Sequence, residues 1–200
     1  MPSENAPPSP ARLVLDHCLG RPPTLGAGRL VCIDGPAGSG KTTLADEIAV
    51  ASRHLVPSVR VLHMDDLYEG WAGLGDVALR VRDGIVAPLV RGLPGRYRRW
   101  DWLASSWAEE HLVDPCSVLV IEGVGAGATE YADAIGTLVW VEAPHEERMA
   151  RGLERDGLAM RSHWESWMVS ESAHFTRQQT RARADVVVDG TGVLPARLVG

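Results

Sequence analysis

Residues 35–42 of the chain read Gly-Pro-Ala-Gly-Ser-Gly-Lys-Thr and match the pattern G-x-x-x-x-G-K-[ST] at every fixed position. Glycines let the backbone of such a loop curl until several N–H groups point at one phosphate, and the dipole of the following helix adds positive potential. The apolar run Arg29–Asp34 predicts a buried strand before the loop, and Thr43–Ala51 has apolar residues at helical spacing after it. This strand–loop–helix context predicts a loop that binds a nucleoside triphosphate.

The bulk properties of the chain indicate a soluble globular protein with small-molecule partners. Its 200 residues are 45% hydrophobic and 23% charged, and the formal net charge is -6. Proteins that bind polyanions usually carry a basic excess, so this charge argues against nucleic acid as a partner. No apolar run approaches the roughly 20 residues that span a bilayer. We therefore expect neither nucleic acid nor a membrane among the partners.

The cysteines and the first residues bear on location and domain organisation. Cys18, Cys32 and Cys116 are odd in number, widely spaced and set in apolar surroundings, which is typical of reduced core residues in a cytoplasmic protein. Residues 1–10 are rich in proline and serine, so they predict a disordered lead-in without the features of a signal peptide. We expect a cytoplasmic protein with a single domain over residues 11–200.

Alternating strand and helix patterns follow the loop and define the fold class. Apolar runs rich in branched residues predict further strands, as expected of parallel strands covered on both faces. These strands are Val59–Met64, Ser117–Ile121, Thr137–Val141 and Asp185–Asp189. Helical patterns cover Ala11–Leu19, Val77–Val90, Pro144–Gly157 and His163–Ala184, with Gly84 and Pro88 predicting a kink in the second. The alternation predicts an α/β domain with a parallel sheet and right-handed crossovers.

Two carboxylate positions follow predicted strands. Asp65 and Asp66 come after the second strand, where ligands of an open parallel sheet bind, and a carboxylate there can accept the proton of an attacking hydroxyl. The alternative is that both residues only cap a following helix. Glu122 ends the apolar strand Ser117–Ile121, as in a Walker B strand, and would face a metal ion directly or through water.

Two basic segments are candidates for the rest of the site. Arg148, Arg151 and Arg155 fall on one helix face, which predicts either a solvated basic surface or a lid that neutralises a transferring phosphoryl group. The segment Arg96–Trp107 contains three tryptophans mixed with arginines and an acid. That composition suits a flat, hydroxylated ligand such as a base attached to a sugar, and the alternative is an exposed aromatic rim or a dimer contact.

With these segments in place, the chain resembles the uridine kinase family of P-loop nucleoside and nucleotide kinases over about residues 30–190. The segment Ile33–Ala45 matches the phosphate loop of the family almost letter for letter, and Asp65–Tyr68 is similar to its D-x-F-Y motif. Ile121–Gly123 matches its E-G segment, and the three arginines with Asp156 match its R-x-x-R-x-x-x-R-D lid. The resemblance implies a P-loop NTPase fold, nucleotide kinase-like, in which a five-stranded parallel sheet is flanked by helices.

The resemblance also implies catalytic roles. The first aspartate of the D-x-F-Y motif is the base in the family, which maps the base to Asp65 rather than Asp66. Lys41 would reach the β- and γ-phosphates of the donor. Arg151 and Arg155 would cover the transfer as part of a lid over about residues 145–165.

ATP and Mg²⁺ are the implied donor and metal. Thr42 would hold Mg²⁺ with help from Asp65 or Glu122. The residues expected to bind the nucleotide are Gly35, Pro36, Ala37, Gly38, Ser39, Gly40, Lys41, Thr42, Thr43 and Arg148.

The acceptor segment, about residues 69–110, departs from the family. Trp100-Asp101-Trp102 resembles the nucleoside-contacting Tyr-Asp-Phe of the family, but Ser105 stands where a histidine is expected. The insertion Glu69–Asp76 also differs from the family pattern. The residues expected to contact the acceptor are Tyr68, Asp76, Arg98, Trp100, Asp101 and Trp102.

Three functions are compatible with this pattern. The first is an ATP-dependent kinase of a small-molecule hydroxyl, with the 5′-hydroxyl of a nucleoside such as uridine or cytidine as the leading acceptor. The second is a kinase of an anionic acceptor, a nucleoside monophosphate or a carboxylated alcohol, motivated by Arg91, Arg96, Arg98 and Arg99. The third is a P-loop ATPase or switch without a small acceptor. The sequence leaves open which acceptor is used, whether ATP is preferred over GTP, and whether the protein is a homo-oligomer.

Overall fold

The computed structural model describes residues 8–199, which fold around a six-stranded sheet with a separate two-stranded hairpin. The strands are β1 (Arg29–Asp34), β2 (Val59–His63), β3 (Gly95–Asp101), β4 (Ser106–Val113), β5 (Val118–Glu122), β6 (Thr137–Glu142), β7 (Val186–Asp189) and β8 (Arg197–Leu198). The helices are α1 (Pro10–Leu19), α2 (Lys41–Ser52), α3 (Val77–Val81), α4 (Ala87–Val90), α5 (His145–Asp156), α6 (Arg161–Gln178) and α7 (Thr180–Arg183).

The main sheet has the strand order β2-β5-β1-β6-β7-β8. The first five of these strands are parallel, with Cys32 of β1 opposite Ile121 of β5 and Leu138 of β6. This confirms the five parallel strands that the sequence predicts. The predicted count is one too low, because β8 pairs antiparallel with β7 through Val186 and Leu198. A two-residue strand is too short to leave a periodic signal.

The central strand shows how the sheet is covered on both faces. In β1, Leu30 and Cys32 pack into one apolar layer, whereas Val31 and Ile33 pack into the other, because successive side chains of a strand point to opposite faces. Helices α1 and α2 cover the Val31 side, with Ile48 of α2 fully buried. Helices α3, α4 and α6 contribute to the layer on the Leu30 side.

The segment predicted as one kinked helix over Val77–Val90 consists of α3, a π-helical stretch (Arg82–Val86) and α4. A Cβ on Gly84 would lie 2.7 Å from the carbonyl oxygen of Arg96. The glycine therefore allows the hairpin to approach this helical segment closely.

The antiparallel hairpin β3–β4 is an element that the sequence analysis does not predict. Its pairing runs from Gly95 opposite Val113 to Asp101 opposite Ser106, with a register shift between Arg98 and Trp100. The turn places Ser105 at φ 50°. Non-glycine residues seldom adopt that conformation, and the turn residues 102–105 contain neither the Asn-Gly nor the Asp-Gly signal of short hairpins.

The first described residues open α1 directly. The Ser9 hydroxyl accepts a hydrogen bond from the backbone N–H of Arg12, and Pro10 occupies the start of the helix, where a missing N–H does no harm. The lead-in predicted for residues 1–10 falls mostly on residues 1–7, which lie outside the described part. Within residues 8–199, no helix combines the length and apolar character that a bilayer crossing requires.

Candidate active site

One cleft of about 1470 Å³ lies at the carboxyl ends of the parallel strands. Parallel strands direct these ends to the same edge of the sheet, so loops distant in sequence meet there. The phosphate loop follows β1, Asp65 follows β2, Glu122 ends β5 and Asp189 ends β7. The structure therefore brings the phosphate loop and the two candidate carboxylates, Asp65 and Glu122, to one site.

The phosphate loop adopts the left-handed backbone that its glycines permit. Gly38 and Gly40 have φ values of 78° and 100°, and Lys41 opens α2. The Lys41 ammonium donates a hydrogen bond to the carbonyl oxygen of Pro36 at 2.8 Å, so the side chain folds back over the loop. Burial lowers the pKa of Lys41, while the neighbouring carboxylates, Glu122 first, oppose that shift.

The predicted nucleotide-binding residues divide into two groups. Most of the loop lines the cleft: Ala37, Gly38, Gly40, Lys41, Thr42 and Thr43. Gly35, Pro36 and Ser39 are not among the lining residues, and the fully buried Ser39 lies against Gly190. An added Cβ on Gly190 would lie 1.7 Å from the Ser39 carbonyl oxygen, so the residue after β7 supports the loop by direct backbone contact.

Asp34, the last residue of β1, ties the phosphate loop to the loop after β5. Its fully buried carboxylate accepts backbone hydrogen bonds from Gly35, Gly125 and Gly127 at 2.8–2.9 Å. Burial raises the pKa of Asp34 to about 6, against the opposing effect of these three N–H groups and of Lys41. The sequence analysis treats Asp34 only as the end of a strand.

Thr42 and Glu122 form an oxygen-rich corner beside the phosphate loop. The Thr42 hydroxyl donates to Glu122 Oε1 at 3.1 Å, and the same oxygen lies 2.7 Å from His63 Nδ1. The hydrogen bond to Glu122 raises the pKa of His63. Within residues 8–199, no three His, Cys, Asp or Glu side chains form a metal-binding group. Mg²⁺ needs few protein ligands, because it keeps waters and substrate phosphates, so a hydroxyl and a carboxylate fit it.

Asp65 opens into the same cleft. The residue is accessible to solvent, but the walls of the cleft surround its carboxylate. The resulting desolvation raises the pKa of this carboxyl, and the nearby charge of Glu122 adds to the rise. Its backbone carbonyl accepts a hydrogen bond from the Trp102 indole N–H at 3.0 Å. The tip of the hairpin is thereby fixed to the turn that carries Asp65.

The three predicted lid arginines of α5 have different surroundings. Arg151 donates to the carbonyl oxygen of Gly38 at 3.2 Å and lines the cleft. Arg155 also lines the cleft, paired with Asp156 at 2.7 Å and lying over the Trp164 ring. Arg148 does not line the cleft.

Arg148 is held by a buried carboxylate on α6. It pairs with Glu171 at 2.9 Å and donates to the carbonyl oxygens of Ala37 and Ala143. The second oxygen of Glu171 accepts the Ala37 N–H at 2.8 Å. Arg148 and Glu171 therefore contact the phosphate loop without lining the cleft themselves.

Aromatic rings form one wall of the cleft. Trp71 contacts Trp102 and Trp167 edge to face, with centroids 5.6 and 6.1 Å apart. Trp167 in turn packs on Tyr68 at 4.9 Å. Tyr68 lines the cleft by its ring only, because it is 1% exposed and its hydroxyl donates to the Val124 carbonyl oxygen at 2.6 Å.

Of the predicted acceptor contacts on the hairpin, the structure brings only Trp102 into the cleft. Arg98 donates to the carbonyl oxygens of Trp107 and Ala108 across the hairpin. Trp100 packs on Trp107, and Asp101 accepts the N–H groups of Leu103 and Ala104 in the turn. Asp76, before α3, is exposed and not among the lining residues.

Several residues of the cleft were not singled out from the sequence. Trp71 lies in the insertion that departs from the family pattern, and Trp164 and Trp167 lie one helical turn apart on α6. The i, i+3 spacing of the two tryptophans signals a shared helix face. No local pattern marks Glu171, whose role depends on contacts with residues more than 20 positions away.

Comparison with solved structures shows the same fold in several kinases. A possible uridine kinase from Bacillus stearothermophilus aligns with a TM-score of 0.57 and 21% identity, over 81% of this chain and 89% of that one. A protein provisionally named a fructose transport system kinase, from Silicibacter sp. TM1040, aligns with a TM-score of 0.55 and 22% identity, over 76% and 85%. D-glycerate 3-kinase from Cryptococcus neoformans var. grubii aligns with a TM-score of 0.55 and 11% identity, over 94% and 97%.

Fold and site together define a protein of the P-loop kinase fold class, as the resemblance in the sequence implies. The family model described as an AAA domain matches residues 31–186, and the chain belongs to that family. No curated protein matches the sequence significantly.

Proposed function

We propose that the protein is an ATP-dependent kinase that transfers the γ-phosphate to a hydroxyl of a small, non-anionic molecule, with a nucleoside such as uridine or cytidine as the leading acceptor. The observation that carries the proposal is the shared cleft. The Asp65 carboxylate opens into the same space as Lys41 and Thr42 of the phosphate loop. A P-loop protein that only bound or hydrolysed ATP would have no use for an aromatic pocket beside that carboxylate.

The donor half rests on the phosphate loop. Lys41 would leave the Pro36 carbonyl and contact the β- and γ-phosphates, where a charged ammonium neutralises the charge of the transferring group. Thr43, Glu47 and residues 193–196 also line the cleft and would contact the nucleoside of the donor.

Thr42 and Glu122, with Asp65 as the alternative carboxylate, would hold Mg²⁺. Hydroxyl and carboxylate oxygens are the hard ligands that this ion prefers. When bound, Mg²⁺ would neutralise the phosphates and orient them for an in-line displacement.

The acceptor half rests on Asp65 and the aromatic wall. Asp65 would accept the proton of the acceptor hydroxyl while the hydroxyl oxygen bonds to the γ-phosphorus and the bond from that phosphorus to the bridging oxygen of ADP breaks. A raised pKa suits this role, because it makes the carboxylate a stronger base. Trp71 and Trp102 would hold the ring of the acceptor by stacking or edge contacts.

The charges of the cleft favour a neutral or cationic acceptor over an anionic one. Asp65 and Asp66 line the cleft, whereas the arginines that motivated an anionic acceptor are not among its lining residues. Arg99 pairs with Glu109 at 2.7 Å, and Arg98 is engaged by carbonyl oxygens on the hairpin. The remaining arginines of the cleft, Arg151 and Arg155, already have partners and would face the phosphates.

A cytoplasmic location is part of the proposal. Within the described residues, Cys18, Cys32 and Cys116 are all free thiols, which fits a reducing compartment.

The test is ADP release from Mg-ATP against a panel of nucleosides, neutral sugars, nucleoside monophosphates and carboxylated alcohols, with Lys41→Ala as the blank. The proposal requires a Lys41-dependent signal with at least one non-anionic alcohol. Activity confined to monophosphates or carboxylates would replace it with the anionic version. ATP hydrolysis stimulated by a protein, with no small molecule phosphorylated, would favour the switch.

A further inference from the structure

Both backbone polar groups of Ala37, near the apex of the phosphate loop, are held by side chains from outside the loop. The Ala37 N–H donates to Glu171 Oε2 at 2.8 Å, and the Ala37 carbonyl oxygen accepts from Arg148 at 3.2 Å. Glu171 and Arg148 then pair with each other at 2.9 Å. One closed set of three contacts therefore joins the loop to α5 and α6.

The ion pair in this set is nearly excluded from water. The Glu171 side chain is 3% exposed and the Arg148 side chain 11% exposed. A buried pair of this kind gives little net stability, because desolvation of both charges offsets their attraction. Its contribution to the fold therefore lies in the geometry that it imposes on its partners.

The geometry in question is the direction of the loop N–H groups. In a trans peptide, the C=O and the following N–H point in opposite directions. The bond from Arg148 to the Ala37 carbonyl therefore turns the Gly38 N–H away from the arginine. The bond from Arg151 to the Gly38 carbonyl likewise turns the Ser39 N–H away from Arg151, and this N–H donates to the Pro36 carbonyl oxygen at 3.2 Å.

The packing of the loop on α5 agrees with this orientation. A Cβ on Gly38 would lie 2.6 Å from the Arg148 carbonyl oxygen, so the loop backbone rests directly on that helix. Glu171 also lies close enough to Lys41 for their charges to interact. Within residues 8–199, the two hydrogen-bond partners of Glu171 are Ala37 of the phosphate loop and Arg148, which itself contacts that loop.

We propose that Glu171 is a positioning residue for the donor: by holding Ala37 and Arg148, it keeps the phosphate loop in its binding conformation before the nucleotide arrives. A preformed loop binds phosphate without the entropic cost of ordering the backbone. This inference rests on the proposed function, because it assumes that the loop binds the donor. It assigns a role to α6 that the phosphate-loop motif does not contain.

The experiment measures the dissociation constant of Mg-ADP, without acceptor, for the parent protein and the Glu171→Gln, Arg148→Lys and Glu165→Gln variants. The Glu171→Gln variant presents an amide to Arg148 in place of a carboxylate. We expect Glu171→Gln and Arg148→Lys to bind about tenfold or more weakly, in line with the loss of a charge-assisted hydrogen bond. Glu165 is exposed on the same helix, so its variant should bind like the parent.

The double variant Glu171→Gln/Arg148→Lys separates positioning from general damage. If the two residues act as one unit, the double variant should bind Mg-ADP about as weakly as whichever single variant binds it more weakly. A residue that only stabilised the fold would lower the melting temperature but leave the dissociation constant of the folded protein unchanged. If Glu171→Gln fails to fold, Arg148→Lys against the parent decides the question.

Two outcomes overturn the inference, and they are distinguishable from failure of the proposed function. Folded Glu171→Gln that binds Mg-ADP within about twofold of the parent removes the role of Glu171 and leaves the kinase proposal intact. If the losses of Mg-ADP binding free energy in the two single variants add up fully in the double variant, Glu171 and Arg148 do not act as one unit. A parent protein that does not bind Mg-ADP at all would remove both proposals together.

Discussion

At the scale of single residues, the proposed chemistry depends on the Asp65 carboxylate rather than on that of the adjacent Asp66. Asp65 and Asp66 are adjacent in sequence and both line the cleft. Desolvation by the walls of the cleft raises the pKa of the Asp65 carboxyl, and the Asp65 backbone carbonyl accepts the Trp102 indole N–H. The resemblance to uridine kinases also maps the base to Asp65.

Replacing Asp65 by Asn should lower kcat by about 10²–10⁴-fold, because an amide cannot accept the hydroxyl proton. The affinity for Mg-ATP should change little by comparison, since a base acts only during transfer. Steady-state kinetics and a nucleotide titration measure the two effects. Asp66→Asn is the matched control and should lose far less; an Asp65→Asn enzyme as fast as the parent would exclude Asp65 as the base.

The pH dependence of kcat/KM should also show that Asp65 acts as the base. The base is active above its pKa, and enclosure raises that pKa above the usual aspartate value of 3.8. We therefore expect kcat/KM to begin falling, as the pH is lowered, at a pH clearly above about 4, while Mg-ATP binding persists. Rates measured across the acidic and neutral range beside nucleotide binding at each pH test this, and a flat profile down to the usual aspartate pKa would contradict it.

At the scale of elements, the hairpin β3–β4 matters through its tip. Most of its aromatic and basic side chains pack on the hairpin itself, and Trp102 alone among the predicted contacts on the hairpin reaches the cleft. The hairpin therefore places one ring in the cleft, where the proposal has it contact the acceptor, and donates one hydrogen bond to the turn that carries Asp65.

Truncating Trp102 to Ala should raise the acceptor KM by about tenfold, the effect of losing one aromatic contact and part of its buried area. Mg-ADP binding should not change, because the residue lies on the acceptor side. Leu112→Ala is a control on the same hairpin, since Leu112 is exposed on β4 and away from the cleft. Equal acceptor KM values in the parent and Trp102→Ala would remove the aromatic wall from the acceptor site.

The sequence predicts the elements whose signal is local and misses those that depend on packing. The apolar run Ser117–Ile121 is recognisable as a strand because both faces of the observed strand, Val118–Glu122, are buried. The hairpin strands are mostly solvent-facing, and their turn lacks glycine, so neither periodicity nor turn chemistry marks them.

The same distinction applies to the site. Lys41 and Asp65 lie in short motifs whose chemistry is readable, and both line the cleft. Asp34 and Glu171 act through backbone N–H groups that other loops present, and only the folded chain brings these groups together. The position of Arg98 outside the cleft likewise depends on the pairing of β3 with β4.

At the scale of the whole molecule, the phosphate loop is supported by the residue that follows strand β7. Gly190, after β7, touches the loop backbone at Ser39, although the two residues are far apart in sequence. The sheet order β1-β6-β7 brings this glycine within reach. The fold of the whole domain therefore sets the shape of the loop.

Gly190→Ala tests this dependence. Its Cβ would lie 1.7 Å from the Ser39 carbonyl oxygen, so the loop or β7 must move. We expect Mg-ADP binding to weaken by more than about tenfold and the melting temperature to fall by about 2–10 °C, as for other overpacked sites. Gly75→Ala is the matched control, because nothing lies within 4 Å of its added Cβ. Unchanged nucleotide binding in Gly190→Ala would show that the contact is not required.

The central claim is that the cleft transfers a phosphoryl group to a small, non-anionic alcohol. The most direct test incubates the protein with ATP labelled in the γ-phosphate and the acceptor panel, and identifies the labelled product by mass spectrometry. We expect a labelled phosphate ester of a neutral or cationic alcohol that is absent with Lys41→Ala and strongly reduced with Asp65→Asn. Label found only in inorganic phosphate, or only on acceptors that already carry a carboxylate or phosphate, would contradict it.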